Sequence, residues 1–225
     1  MLIFLLVIFV VLFFLFMVLP LGKHHFIGAG CFLILAILCG AALIANDTYY
    51  MGMKVQKTTT VKPLVSSVDG QMPILLYQPL GTSGQQKIYL YKTKTTQKKP
   101  QAIKTKNMSA KTTTTTTKPQ VVISEQRYVY KNSLSKLLFG ILGNNNELKH
   151  RSYTFKVGSD WYVLSVKQAQ KLGKAMADKN TQQQLQLAIS QALQSALQKD
   201  PHLSKEQQQV VSQQATHDFI NKLVK

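Results

Sequence analysis

Two uncharged apolar runs, Leu2 to Leu21 and Phe26 to Ala45, stand four residues apart at the front of the chain. Each holds 20 residues, and at about 1.5 Å of rise per residue each reaches roughly 30 Å, the thickness of a bilayer's hydrocarbon core. Between them Gly22-Lys23-His24-His25 is too short and too polar for anything but a tight turn at the headgroups, and Pro20 marks where the first helix can stop. The runs therefore read as a transmembrane helical hairpin. A cleaved signal peptide would need a basic leader and an apolar run of about 7 to 15 residues before small cleavage-site residues. Met1-Leu2-Ile3-Phe4 carries no charge, and Leu43 stands where a small residue would precede a cut after Ala45. Gly28-Ala29-Gly30-Cys31 lacks the leucine of a lipoprotein box and is followed by more membrane-type residues. In the second run Gly30, Ala36, Gly40 and Ala41 are small, and Ala36-x-x-x-Gly40 gives one face where the first helix can approach closely. His24 and His25 read as ordinary residues of an interfacial turn.

The remaining chain is of opposite character. Of 27 Lys+Arg only Lys23 precedes residue 46, so residues 46–225 carry 26 basic and 9 acidic side chains, a net of +17. Cys31 and Cys39 both lie in the apolar region, about 12 Å apart along a helix, which excludes a disulfide between them and a disulfide-stapled polar domain. A one-domain soluble enzyme is excluded as well.

The polar part divides in two. Residues 46–166 read as a small, mainly antiparallel β domain. Lys57 to Val61 is β-branched; Pro73 to Tyr77 and Lys87 to Lys92 flank Gly81-Thr82-Ser83-Gly84 as a hairpin. Thr93 to Pro119 is almost entirely Lys, Thr, Gln and Ala, with six consecutive threonines from Thr112 to Thr117. So little apolar surface cannot offset the entropy of ordering, and residues 93–119 read as a flexible exposed loop. Val121 to Ile123 and Arg127 to Tyr130 resume the strands, and Leu134 to Leu142 is an apolar knot, either a short helix or a buried loop. Tyr153, Phe155 and Val157 alternate with polar residues, and after Gly158-Ser159-Asp160 the run Trp161 to Val166 completes the clearest hairpin in the chain.

Residues 167–225 form a Gln/Ala-rich helical tail. Ala169, Leu172, Ala175 and Met176, then Leu185, Ala188, Ile189, Ala192, Leu193 and Ala196, make one continuing stripe at helical period, ended by Asp200-Pro201. Ser204-Lys205-Glu206-Gln207 is a capping box that opens a last helix, so the tail reads as a helical hairpin. The fold class is thus a membrane-anchored α+β protein.

The exit Asp47-Thr48-Tyr49-Tyr50-Met51-Gly52-Met53, the run Leu76-Tyr77-Gln78-Pro79-Leu80-Gly81-Thr82, and Tyr130-Lys131-Asn132 before Leu137-Leu138-Phe139-Gly140 carry a resemblance. Over roughly residues 1 to 175 the chain resembles an uncharacterised membrane-protein family of lactic acid bacteria, a domain of unknown function. That resemblance implies a bacterial two-helix membrane protein and supplies no site residues.

No motif for chemistry is found. The nine acidic residues are scattered without a close pair, no cysteine lies outside the membrane, no histidine pair has metal-ligand spacing, and P-loop and G-x-S-x-G sequences are absent. The chain is read as a non-enzyme with no catalytic residue, cofactor, metal or small-molecule substrate. Its charge points instead to anionic partners, lipid or cell-wall polymer, met by Lys92, Lys94, Lys98, Lys99, Lys104, Lys106, Lys111 and Lys118. Two other partners are weighed. Tyr89 and Tyr91, Tyr128 and Tyr130, and Tyr153 and Phe155 have the strand spacing of stacking platforms for nucleic acid, but such pairs are more often core. The tail helices could dock a protein partner or a second copy. Lys54, Lys57 and Lys62 against Lys23 favour a cytoplasmic domain. The Thr/Lys tract, the cysteine-free domain and an uncharged amino terminus favour an extracytoplasmic one, and that placement is the one expected.

Overall fold

The computed structural model describes residues 1–19, 24–70, 72–81 and 86–224. Two helices come first, α1 (Leu2–Val18) and α2 (His25–Tyr49). The strands are β1 (Met53–Pro63), β2 (Ile74–Leu80), β3 (Gln86–Tyr91), β4 (Gln101–Ala102), β5 (Met108–Thr114) and β6 (Gln120–Tyr130). Helix α3 (Ser133–Phe139) runs on into a 3-10 turn, Gly140–Leu142, before β7 (Glu147–Val157) and β8 (Tyr162–Ser165). Helices α4 (Val166–Ala177), α5 (Lys179–Lys199) and α6 (Lys205–Val224) close the chain. The protein is a mixed α+β fold divided into two units, Met1–Thr60 with Ile123–Ser152, and Val61–Val122 with Tyr153–Lys225. The division falls within β1, β6 and β7, which belong to a four-stranded sheet of order β1-β6-β7-β5.

In the first unit α1 and α2 lie antiparallel. A Cβ on Gly28 would meet the Phe16 ring at 2.7 Å, while one on Gly40 would meet Leu6 at 3.7 Å. Phe32 lies between Phe9 and Phe16, with ring centroids 6.3 and 5.2 Å away. The expected small-residue face is used in part. Ala29, Ala36 and Cys39 are buried and Gly40 abuts α1, but a Cβ on Gly30 would meet nothing. Helix α2 is the one helix among the described residues long and apolar enough to cross a membrane; α1, at 17 residues, is shorter. The expected turn around Gly22 and Lys23 lies outside the described residues.

Polar residues continue α2 beyond Ala45 and then pin its end. Asn46 is fully buried; its amide donates to the Met51 carbonyl at 2.6 Å, and its side-chain oxygen accepts from Asn144 Nδ2 at 2.9 Å. Asn144 Oδ1 and the Phe139 carbonyl lie 2.7 and 2.9 Å from the Tyr130 hydroxyl. Tyr50 ends the helix in a left-handed conformation and stacks on Tyr128 at 3.6 Å. Gly52 follows at φ +79°, where an added Cβ would also press on Ser135 and Phe139 of α3. The apolar knot is thus a helix, capped by the Asn132 side chain, which accepts from the Ser135 N–H.

In the second unit β4-β3-β2-β8 is a mixed sheet. The expected hairpin is present, β2 pairing antiparallel with β3 from Leu76↔Leu90 to Leu80↔Gln86, while its loop residues 82–85 lie outside the described residues. The expected hairpin of β7 and β8 is not present. β8 instead pairs in parallel with β2, Leu76↔Leu164 among the partners, so the domain is not purely antiparallel. The backbone groups at the turn show why: the Val157 carbonyl accepts from Thr115, and the Tyr162 N–H donates to Pro73. Gly158-Ser159-Asp160 therefore hands the chain from one sheet to the other.

Helices α4 and α6 cover this second sheet, Leu172, Ile220 and Val224 packing with Ile74, Leu76, Tyr162 and Leu164. The tail holds three helices, not two. The stripe breaks at Asp178, whose carboxylate accepts from the Asn180 N–H and the Thr181 hydroxyl, and an extended backbone there starts α5 afresh. Ser204 and Gln207 do form the expected capping box. A second one, Ser165 with Gln168, opens α4 and is equally legible as S-x-x-Q.

Candidate anionic-surface contacts

The Thr/Lys tract is where sequence and structure part most. Residues 93–119, expected to lack regular structure, contain β4 and β5. The error lies in counting only apolar burial. Threonine is β-branched and suits a pleated surface, and ladder hydrogen bonds satisfy the backbone without an apolar side chain. Further ties hold the connections: the Gln97 amide oxygen accepts from Thr93 N–H, Ile103 is buried with its N–H on the Tyr89 carbonyl, and Lys104 N–H donates to the Tyr153 hydroxyl. β5 is a sheet edge, as is β1 at the other side of the order. Both carry Lys, a residue that discourages a further strand from adding to an edge.

On this scaffold seven of the eight candidate lysines are exposed. Lys94, Lys98 and Lys99 share the β3–β4 connection, where the Gln97 N–H donates to the Lys94 carbonyl in a turn. Lys104 and Lys106 share the β4–β5 connection, Lys111 projects from β5, and Lys118 follows it. None of these seven has a carboxylate partner among the described residues. Lys92 is different and leaves the set. It is 3% exposed, and its ammonium pairs with Asp69 at 2.8 Å. Its alkyl stem is core, so its charge is not offered to a ligand.

Sequence reasoning did not name two further basic features as candidate contacts. A groove of about 460 Å³ is lined by Lys87, Gln86, Leu80, Thr105, Asn107 and Met108, with Lys104 and Lys106 flanking Thr105 in the chain. Lys87 also lies over the Tyr77 ring, 4.5 Å from its centroid. In the first unit β1 carries exposed Lys54 and Lys57.

Three further charges, Glu125, Arg127 and Arg151, are spent on one another. Glu125 binds Arg151 Nε at 2.6 Å through one oxygen and Arg127 at 2.9 and 3.0 Å through the other, and Arg127 also donates to the Asn146 carbonyl. The Arg151 hydrogen bond foremost, with Arg127 adding to it against the opposing effect of burial, holds the Glu125 carboxyl below its usual range. Nor do two of the three aromatic pairs form an open platform. Tyr89, Tyr91, Tyr153 and Phe155 are buried together, with ring centroids 4.9 to 6.5 Å apart. Burial raises the Tyr89 phenol above its ordinary value. Exposed ammonium groups, each a strongly hydrated point charge with three donors, can hold phosphate or carboxylate groups.

A family model described as a domain of unknown function, DUF4811, matches residues 22–172. The match takes in α2 and all eight strands and ends within α4; α1, α5 and α6 lie outside it. No curated protein and no solved structure matches the chain.

Proposed function

Since the chain belongs to the DUF4811 family, a domain of unknown function, we propose a role from its own residues: a bacterial integral membrane protein, of the lactic-acid-bacterial kind, that presents a basic domain to anionic polymers or lipids of the cell envelope. It acts by binding and not by catalysis. Both α1 and α2 cross the bilayer, and the domain lies outside the cytoplasm. The observation that carries the reading is the set of seven exposed, unpaired lysines on a strand-held tract in a chain whose α2 is long and apolar enough to span. Each lysine close to an anionic surface is worth about 1 kcal/mol, and the attraction is screened beyond about 8 Å at physiological salt.

The test replaces Lys94, Lys98, Lys99, Lys104, Lys106, Lys111 and Lys118 by Gln and measures retention on purified wall teichoic acid and on phosphatidylglycerol vesicles at rising salt. Salt-sensitive retention should be largely lost. Equal retention by parent and variant at every salt concentration refutes the role. Labelling of a cysteine placed at Thr113 on intact cells, by a reagent that cannot cross the membrane, checks the side.

A second reading makes the tail a docking module. Helix α5 favours it, because none of its residues is fully buried and Leu187 is 59% exposed. Since α4 and α6 already cover the domain's own sheet, a partner would have to engage α5 alone.

A further inference from the structure

Helix α3 and the 3-10 turn after it have two contrasting faces. Ser135 and Phe139 face inward: Phe139 is 5% exposed and clusters with Leu2 and Cys39, and Ser135 lies against Gly52. Leu134, Leu137 and Ile141, at positions i, i+3 and i+7, form a stripe on the other side and are 61%, 55% and 54% exposed. Three large apolar side chains left together in water at such exposure are a signal of a surface that is covered in use.

What covers them follows from depth and continuity. Leu2, Leu6 and Phe9 of α1 and Cys39, Ala42 and Leu43 of α2 all belong to the Phe139 cluster. Cys39 precedes Asn46, the polar residue that ends the apolar run of α2, by seven positions, so it lies roughly 10 Å inside the apolar part of the helix. A helical segment packed there sits at the depth of the headgroup and acyl-chain boundary, where interfacial helices bury their apolar side by about 5 to 10 Å. The stripe is also continuous with the lipid-facing side of α1. Met1 and Phe4, both more than half exposed, share a groove of about 430 Å³ with Ser133, Lys136, Leu137 and Ile141. The amino group of Met1 donates to the Leu137 and Leu138 carbonyls at 2.9 and 3.3 Å, holding the two elements side by side. Exposed Lys131 and Lys136 flank the stripe, as basic residues do at a phospholipid interface.

We propose that Ser133–Leu142 is an interfacial foot whose Leu134, Leu137 and Ile141 enter the acyl-chain boundary of the bilayer beside α1. This rests on the reading of α1 and α2 as membrane spans. The foot fixes the rotation and depth of the unit that carries it, which two spans alone leave free to rock.

The experiment uses the full chain with Cys31 and Cys39 changed to Ala, reconstituted into phosphatidylcholine–phosphatidylglycerol vesicles. Single cysteines replace Leu134, Leu137 or Ile141, with Phe14 as the reference inside a span and Lys57 as the reference on a strand. Each carries an environment-sensitive fluorophore and is challenged with lipids bearing nitroxides high on the acyl chain. Emission at 134, 137 and 141 should fall at least about twofold while that at 57 holds, the pattern of a shallowly buried helix face. If Phe14 is quenched and the three foot positions behave like Lys57, the foot is overturned and the spans stand. If Phe14 also escapes quenching, the membrane reading fails and the foot with it. Buried Trp161, 8% exposed, reports by its emission that each labelled chain is folded.

Discussion

Lys92 separates two explanations of a lysine that look alike in sequence. Its side chain is 4% exposed, whereas that of its partner Asp69 is 93% exposed, so the ion pair meets water at the carboxylate end. Such a pair contributes about 0 to 1 kcal/mol. The stem is worth more: Lys92→Ala removes three buried methylenes, at about 0.8 kcal/mol each a loss of roughly 2 to 3 kcal/mol. Lys92→Met keeps an unbranched apolar stem and discards the charge, and should cost no more than about 1 kcal/mol. Asp69→Asn, which weakens the pair alone, should cost as little, and Lys98→Ala on the exposed tract should stay within about 0.5 kcal/mol. Urea unfolding of the full chain in detergent, followed by Trp161 emission and compared at constant slope, measures all four. Lys92→Met proving as destabilising as Lys92→Ala would mean that the charge, and not the stem, is what the fold uses.

Other substitutions test the first unit. Asn46→Ala leaves the Asn144 amide and the Met51 carbonyl without their partner and should cost about 2 kcal/mol, read as a fall in thermal midpoint; a neutral outcome would show that this network does not hold the end of α2. Glu125 has a folded-state pKa below its unfolded value, so its contribution is complete above about pH 4.3 and is lost as pH falls through the lowered folded value. Glu125→Gln should therefore lower the midpoint at pH 7 and flatten its decline below about pH 4.3; an unaltered acid limb would contradict the assignment.

Much of the architecture was legible because its signals are local. The apolar runs, the β2–β3 pair around its glycines and the Ser204 capping box each declare themselves within about twenty residues. What was not legible depends on partners far away. Alternation in Tyr153 to Val157 and Trp161 to Val166 says that both are strands, but Thr115 and Pro73, which take the backbone groups at their ends, cannot be inferred from that spacing. The threonine tract failed for another reason: its order comes from backbone pairing, to which a count of apolar side chains is blind. Lys92 is buried because it directly follows the strand that ends at Tyr91 and bridges to Val65, a partner 27 residues earlier that local spacing does not reveal.

The parallel pairing of β2 with β8 has a consequence for how the chain is made. Leu76 must wait for Leu164, 88 residues later. At about 5 to 20 residues per second that interval is roughly 4 to 18 seconds, during which β2 has β3 on one flank and a bare row of amides and carbonyls on the other. The hydrophobic front of the nascent polypeptide has left the ribosome long before that gap can close. The second sheet is thus completed late, and the flank of β2 stays open until β8 arrives.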